Sequence, residues 1–136
     1  MTEDDSRHPL VVKISLIGET AVGKTSIINK YIKNYFNDAQ TSTTGAQFST
    51  RLISLCEEKI SLRLEIWDTA GQERYRSLAK VIYKNASVII LVYDITNRSS
   101  FEELKNFWID EVKNNTKPTT SKIINNIIYN SIWFSS

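Results

Sequence analysis

The sequence has few of the features that mark secreted or membrane-spanning chains. It contains one cysteine, Cys56, so no disulfide can form within the chain, which is consistent with a reducing compartment. The first nine residues are polar and lack the apolar segment of a secretory signal. The apolar C-terminal stretch is shorter than the about 20 residues that a membrane span needs. A net charge of +2 gives no reason to invoke nucleic acid as a partner.

What is present is an alternation of strand-like and helix-like segments in a chain of 136 residues, long enough for one domain with a core. The continuous apolar run 88–92 is typical of a parallel strand covered on both faces. The pattern predicts an α/β fold: a doubly wound, mostly parallel sheet with one antiparallel hairpin and the ligand at the C-terminal strand ends. The predicted strands are 10–17, 46–56, 60–67 and 87–93, and the predicted helices are 24–34, 75–84 and 99–115. Ser99 is a candidate cap for the last helix.

The segment from Gly18 to Thr25 fits the phosphate-loop pattern G-x-x-x-x-G-K-[ST]. It follows a β-branched strand and opens a helix, a context that makes an anion nest at a helix N-terminus. Gly18 and Gly23 permit the tight backbone, and we expect Lys24 to reach the β- and γ-phosphates and Thr25 to ligate Mg²⁺. The alternative is a chance match in an ordinary strand-to-helix turn.

A second phosphate-handling segment, Asp68 to Gln72, follows directly after an apolar strand. An acid at this position can hold Mg²⁺ through water, a glycine lets a backbone N–H approach a phosphate, and a glutamine can orient a water. We therefore assign these three roles to Asp68, Gly71 and Gln72. The strand, the helix and Asp68 together argue against a chance match of the first motif.

Between the two motifs lies a polar stretch, 36–45, which predicts a loop. One interpretation is a solvated connection. The other is a switch, in which Thr43 offers its hydroxyl to Mg²⁺ and its backbone N–H to a terminal phosphate, and which is ordered only while that phosphate is present.

Taken together, these residues resemble the Ras superfamily of small GTPases, and most closely its Rab branch. The resemblance runs from about Leu10 to about Val112. It is carried by the phosphate loop and by four further segments: 43–48 (Thr-Thr-Gly-Ala-Gln-Phe), 66–73 (Ile-Trp-Asp-Thr-Ala-Gly-Gln-Glu), 74–78 and 93–96. The tryptophan before the acid and the phenylalanine ending the first switch favour the Rab branch.

The resemblance implies GTP and GDP as ligands, with Mg²⁺, and a role for each matching residue. Gln72 positions the attacking water and Lys24 is the charge partner of the phosphates. Phe36 packs edge-on against the guanine, with an ordinary core phenylalanine as the alternative. The implied nucleotide-binding residues are Gly18, Ala21, Val22, Gly23, Lys24, Thr25, Ser26, Phe36, Thr43 and Gly71. The implied metal ligands are Thr25, Thr43 and Asp68.

The sequence departs from the family pattern at several positions. Thr20 stands where Ras has a glycine near the γ-phosphate, and Thr44 replaces the usual isoleucine of the first switch. Rab surfaces often bind effectors through an aromatic triad. Phe48 and Trp67 match two of its members, but Ile82 occupies the expected tyrosine position.

The C-terminal part departs further. We divide the chain into an N-terminal arm (1–9), a partial small-GTPase domain (10–122) and a divergent apolar tail (123–136), although 123–128 is apolar enough to form a fifth strand. The guanine-reading Asn-Lys-x-Asp motif, the Ser-Ala-Lys loop, the final strand and helix, and prenylatable terminal cysteines are expected by resemblance and do not occur. A truncated product and a natural short variant both fit this ending.

Two functions follow as hypotheses. The first is a Rab-like GTPase that hydrolyses GTP as a switch in vesicle-mediated transport. It would be cytoplasmic and peripheral on endomembranes, without a prenyl anchor in this chain. Its partners would be an exchange factor, a GTPase-activating protein and effectors at the switch regions. The second is a non-catalytic binding module with impaired guanine recognition. An inert fragment is the third interpretation.

Overall fold

The computed structural model describes residues 8–34, 46–57, 59–69 and 76–117 with their side chains, and the backbone of 121–127. Its centre is a five-stranded sheet in the order β2-β3-β1-β4-β5. Only β2 and β3 are antiparallel; β3, β1, β4 and β5 run parallel. The strands are β1 (Leu10–Ile17), β2 (Ala46–Leu55), β3 (Ile60–Thr69), β4 (Val88–Asp94) and β5 (Ser121–Ile127). The predicted α/β architecture with one antiparallel hairpin is confirmed.

Helices cover both faces of this sheet. They are α1 (Lys24–Lys33), α2 (Arg76–Tyr83), and a long helix made of α3 (Arg98–Glu103), a π-helical segment (Leu104–Trp108) and α4 (Ile109–Asn115). The predicted cap of the long helix was wrong: Asn97 has the extended backbone of a cap, and its side chain accepts the backbone N–H of Ser99 at 3.1 Å. Within the described part of the chain, no helix has the length and apolar character needed to cross a bilayer.

Alternate residues of the central strands point to opposite faces and build two separate apolar clusters. We call the one beneath α1 the α1-side core; it contains Leu16, Val22, Ile28, Ile66 and Val92. The other, the α2–α4 core, contains Ile17, Ala79, Tyr83, Ala86, Ile89, Leu91, Leu104, Trp108 and Val112. Because β1 contributes Leu16 to one core and Ile17 to the other, its C-terminal end is fixed from both sides. The loop that follows therefore starts from a rigid point.

β3 and β4 end slightly beyond their predicted limits, whereas β2 ends at Leu55, before its predicted end at 56. β3 continues to Thr69, which pairs with Ala46 and donates its hydroxyl to the carbonyl oxygen of Leu16 at 2.7 Å. β5 pairs in parallel with β4 from Ser121 to Ile127. Cys56 lies just after β2 and is exposed.

Candidate nucleotide-binding site

The loop 18–23 joins β1 to α1 and passes very close to β4. A Cβ atom placed on Gly18 would lie 2.1 Å from the carbonyl oxygen of Val92, a distance that real Cβ atoms do not reach. A glycine is therefore required here by close backbone approach. Gly23 caps α1 with a φ of 99°, and Ala21 has a φ of 61°, so the loop uses left-handed backbone at two points. This conformation brings the loop to the N-terminus of α1, where unpaired backbone N–H groups favour anions.

Lys24 crosses this loop as its first helical residue. Its side chain is buried, and Nζ donates to the carbonyl oxygens of Gly18 at 3.0 Å and Glu19 at 2.6 Å. Burial lowers the pKa of Lys24 from 10.5 to about 8, although the nearby charges of Asp68 and Glu19 oppose that shift. A buried ammonium held among carbonyl oxygens is a strong partner for a polyanion. Burial has removed the water that would solvate its charge, and the negative charge of a phosphate stabilises the ammonium in place of that water.

Two oxygen-bearing side chains, Thr25 and Asp68, meet beside Lys24. The hydroxyl of Thr25 donates to Oδ2 of Asp68 across a short contact, which joins the start of α1 to the end of β3. Asp68 is only 2 % exposed, and its neighbour Thr69 anchors the same strand end to β1. Carboxylate and hydroxyl oxygens suit Mg²⁺, which keeps several waters and takes one or two protein ligands with substrate phosphates. The pair therefore fits the predicted metal position.

Those predicted site residues that fall within the described part of the chain lie close together. Lys24, Thr25 and Asp68 lie in one cluster, and Ser26 belongs to the first turn of α1. Val22 is 1 % exposed and belongs to the α1-side core, so its side chain is structural and only its backbone belongs to the loop. Four predicted site residues lie outside the described residues: Phe36, Thr43, Gly71 and Gln72.

An ion-pair cluster that the sequence did not predict lies next to the phosphate loop. Arg76, the first residue of α2, contacts the carboxylates of Glu103 and Glu19; its Nη2 lies 3.8 Å from Oε1 of Glu19. These residues belong to three separate elements, so no short-range spacing in the sequence signals the contact. The only signal in the sequence was the acid Glu19 within the phosphate-loop motif, because a carboxylate beside bound phosphates calls for a nearby cation.

The predicted aromatic surface is present in two of its three positions. Phe48 and Trp67 lie side by side on β2 and β3, with ring centroids 4.8 Å apart, and Phe48 is half exposed. Lys13 Nζ lies 5.5 Å from the centroid of the Trp67 ring. Ile82 is buried, and Tyr83 is also buried and donates to Glu111 at 2.9 Å. The third predicted position is therefore part of the core, and neither side chain extends the aromatic surface.

Comparison with known proteins identifies the family of the chain. The chain is 48% identical over 101 residues to the GTP-binding protein ypt5 of Schizosaccharomyces pombe (strain 972), an alignment that covers 74% of this chain and 47% of that protein. The chain thus spans about half the length of the curated relative it matches. The sequence profile of the Ras family matches residues 13–129, which include the phosphate loop, β3 and the long helix. The chain belongs to the Ras family of small GTPases.

Proposed function

We propose that this chain binds GTP and GDP with Mg²⁺ and hydrolyses GTP, acting as a Rab-like switch in vesicle-mediated intracellular transport. The observation that carries the proposal is the meeting of Lys24 with the Thr25–Asp68 pair at the N-terminus of α1. One cation and two hard oxygen ligands at a helix N-terminus match the needs of a nucleotide's terminal phosphates and their metal ion.

The described residues act by position and charge. Phosphoryl transfer needs little covalent chemistry from the protein, so catalysis depends on aligning the phosphates and stabilising the charge that develops on them. Lys24 and the N-terminal amides of α1 hold the phosphates. Thr25 and Asp68 would hold Mg²⁺, which when bound neutralises charge on the β- and γ-phosphate oxygens. Gln72, Gly71 and Thr43 keep the roles implied by resemblance, as predictions.

Hydrolysis by the chain alone is expected to be slow. Among the described residues the arginine closest to the loop, Arg76, is held by Glu103 and Glu19. Intrinsic turnover in Ras, which carries out the same chemistry, is on the order of 10⁻⁴ s⁻¹, and an arginine from an activating partner accelerates it. An exchange factor and an activating protein are therefore proposed as partners, with effectors at the surface around Phe48 and Trp67.

Calorimetric titration of the purified protein with GDP, GTP and ATP tests this function. Mg²⁺-dependent binding of GTP and GDP and turnover of GTP are expected, and Lys24→Ala should lower the affinity at least about a hundredfold, since a buried charged contact is lost. Lys33→Ala is the matched control, because Lys33 lies at the exposed far end of the same helix. Equal binding by Lys24→Ala and the parent chain would contradict the proposal.

The non-catalytic binding module is the second candidate, and the exposed Phe48 beside Trp67 favours it. It predicts no measurable nucleotide affinity together with retained binding of a partner at this aromatic pair. Titration with nucleotide and a pull-down with Phe48→Ala distinguish the two functions. A partner that binds only the GTP-loaded chain supports the switch.

A further inference from the structure

The guanidinium of Arg76, the first residue of α2, joins three elements of the fold. It contacts Glu103 on α3, lies 3.8 Å from the carboxylate of Glu19 in the phosphate loop, and has its Cζ 3.9 Å from the centroid of the Phe107 ring. The side chain is 27% exposed, so the contacts are only partly screened by solvent.

Glu19 is an unfavourable residue for a loop that binds phosphates. It follows Gly18 directly, and its own carbonyl oxygen accepts Nζ of Lys24 at 2.6 Å. Its carboxylate is close enough to raise the pKa of Lys24 against the effect of burial. A negative charge that acts on this ammonium also acts on any phosphate placed beside it, and in that case it repels.

We propose that Arg76 is a positioning residue for the phosphate loop: it holds and neutralises the Glu19 carboxylate, and thereby sets how strongly the loop binds a nucleotide's phosphates. This rests on the proposed nucleotide binding. The role is electrostatic and acts through Glu19, so Arg76 does not contact the substrate.

The long helix keeps the guanidinium in place. Phe107 and Trp108 are consecutive residues, and the Arg76 Cζ lies within 5.5 Å of the centroid of each ring. Both belong to the π-helical segment, whose wider turn is rare and is often found at functional sites. Stacking on aromatic faces suits the planar guanidinium better than an ammonium. The two rings therefore hold the Arg76 guanidinium in position beside the Glu19 carboxylate, and Glu103 forms a second ion pair with the same guanidinium.

A double-mutant cycle on Arg76 and Glu19 tests the proposal, with GDP and Mg²⁺ as the probe. Arg76→Met should weaken GDP affinity about two- to fivefold, the size of a partly exposed ion pair. Adding Glu19→Gln to it should restore the affinity, because the charge that needed compensation is gone. Arg63→Met is the matched control: Arg63 pairs with Glu65 on β3, at the end of the sheet remote from the loop, and should change nothing.

The rescue separates this role from a structural one. If Arg76 merely packs α2 against α3, Arg76→Met weakens GDP binding through misfolding, and adding Glu19→Gln does not restore the affinity. That outcome overturns the proposal. An unchanged GDP affinity in Arg76→Met also overturns it. Thermal unfolding of each variant shows which are folded. Should Arg76→Met not fold, Glu19→Gln alone is decisive: it leaves a surplus positive charge and should tighten GDP binding about two- to fivefold. Absence of GDP binding by the parent chain defeats the proposed function itself, and this inference with it.

Discussion

The two faces of the sheet are packed in different ways. Beneath α1, the core is aliphatic and contains Leu16, Ile28 and Ile66. A polar contact on that side joins β2 to the last turn of α1. Arg51 donates to the backbone carbonyl oxygen of Tyr31, and its guanidinium stacks on the Tyr31 ring. On the other face, the core contains large aromatic residues, and α2 is joined to the long helix by polar contacts.

Those polar contacts lie at both ends of α2. Arg76 meets Glu103 at its start, and Tyr83 and Lys80 both meet Glu111 near its end. The two ion pairs are partly exposed and individually weak. The phosphate loop thus rests on a helix held mainly by aliphatic packing, whereas α2 combines the buried side chains of Ala79 and Tyr83 with polar contacts at both of its ends.

The largest expected effect comes from Trp108→Ala on the α2–α4 side. Removing this fully buried side chain should lower the free energy of unfolding by about 3–5 kcal/mol. The affinity of the variant for GDP, measured at a temperature where it is folded, should fall at most about two- to fivefold, the share that Arg76 contributes, because Lys24 and Thr25 rest on the other core. Phe101→Ala removes an exposed ring of the same helix and should cost under about 1 kcal/mol.

Ile28→Ala probes the α1 side and should lower the free energy of unfolding by about 2–4 kcal/mol. Here GDP affinity should also fall, because Ile28 seats the helix that carries Lys24 and Thr25. Chemical unfolding and GDP titration of this variant and Trp108→Ala therefore form a pair. The contrast between the two faces fails if both variants lose GDP affinity equally.

The pH dependence of GDP binding probes Lys24 without changing the core. Its pKa of about 8 lies below the usual 10.5, so the free protein loses this charge as pH rises above 8. Phosphate favours the charged form, and affinity should fall up to about tenfold per pH unit from there. In the absence of nucleotide the sign reverses, and stability rises between pH 8 and 10.5, since only the unfolded chain then binds the proton. Lys24→Arg keeps its charge and should bind with little dependence on pH in this range.

Tyr83→Phe removes one of the polar contacts of α2 and should cost about 1 kcal/mol of unfolding free energy. Burial and the Glu111 carboxylate raise the pKa of Tyr83. The stabilisation from the phenol is therefore complete below the unfolded pKa of about 10 and is lost as pH rises beyond it. Unfolding at pH 8 and pH 11 should show a smaller difference between the parent chain and the variant at the higher pH.

Much of this structure could be predicted from short-range patterns. The strands were found because buried parallel strands are continuous apolar runs, and the loop 18–23 because its glycines, lysine and threonine follow a short fixed spacing. Lys24, Thr25 and Asp68 were found because a sheet brings the C-terminal ends of its parallel strands to one edge.

The remaining features depend on contacts between distant residues. The Arg76–Glu19 pair joins two elements that only the folded chain brings together. Asn97 and Ser99 are both good caps by residue type, and the choice between them depends on backbone angles. Ile82 stands where the resemblance implies the tyrosine of the aromatic triad, and the packing of α2 buries it. The π-helical segment has no composition that marks it.

That segment sets the phase of everything after it in the long helix. An α-helix advances about 100° per residue, and a π-turn accommodates one more residue than an α-turn. Winding the same five residues from Leu104 to Trp108 as an ordinary α-helix would therefore rotate α4 by nearly that angle relative to α3. Val112, now fully buried, and Glu111, now bonded to Tyr83, would both leave their places. The wider turn of this short stretch is thus as strict a requirement as the identity of its residues.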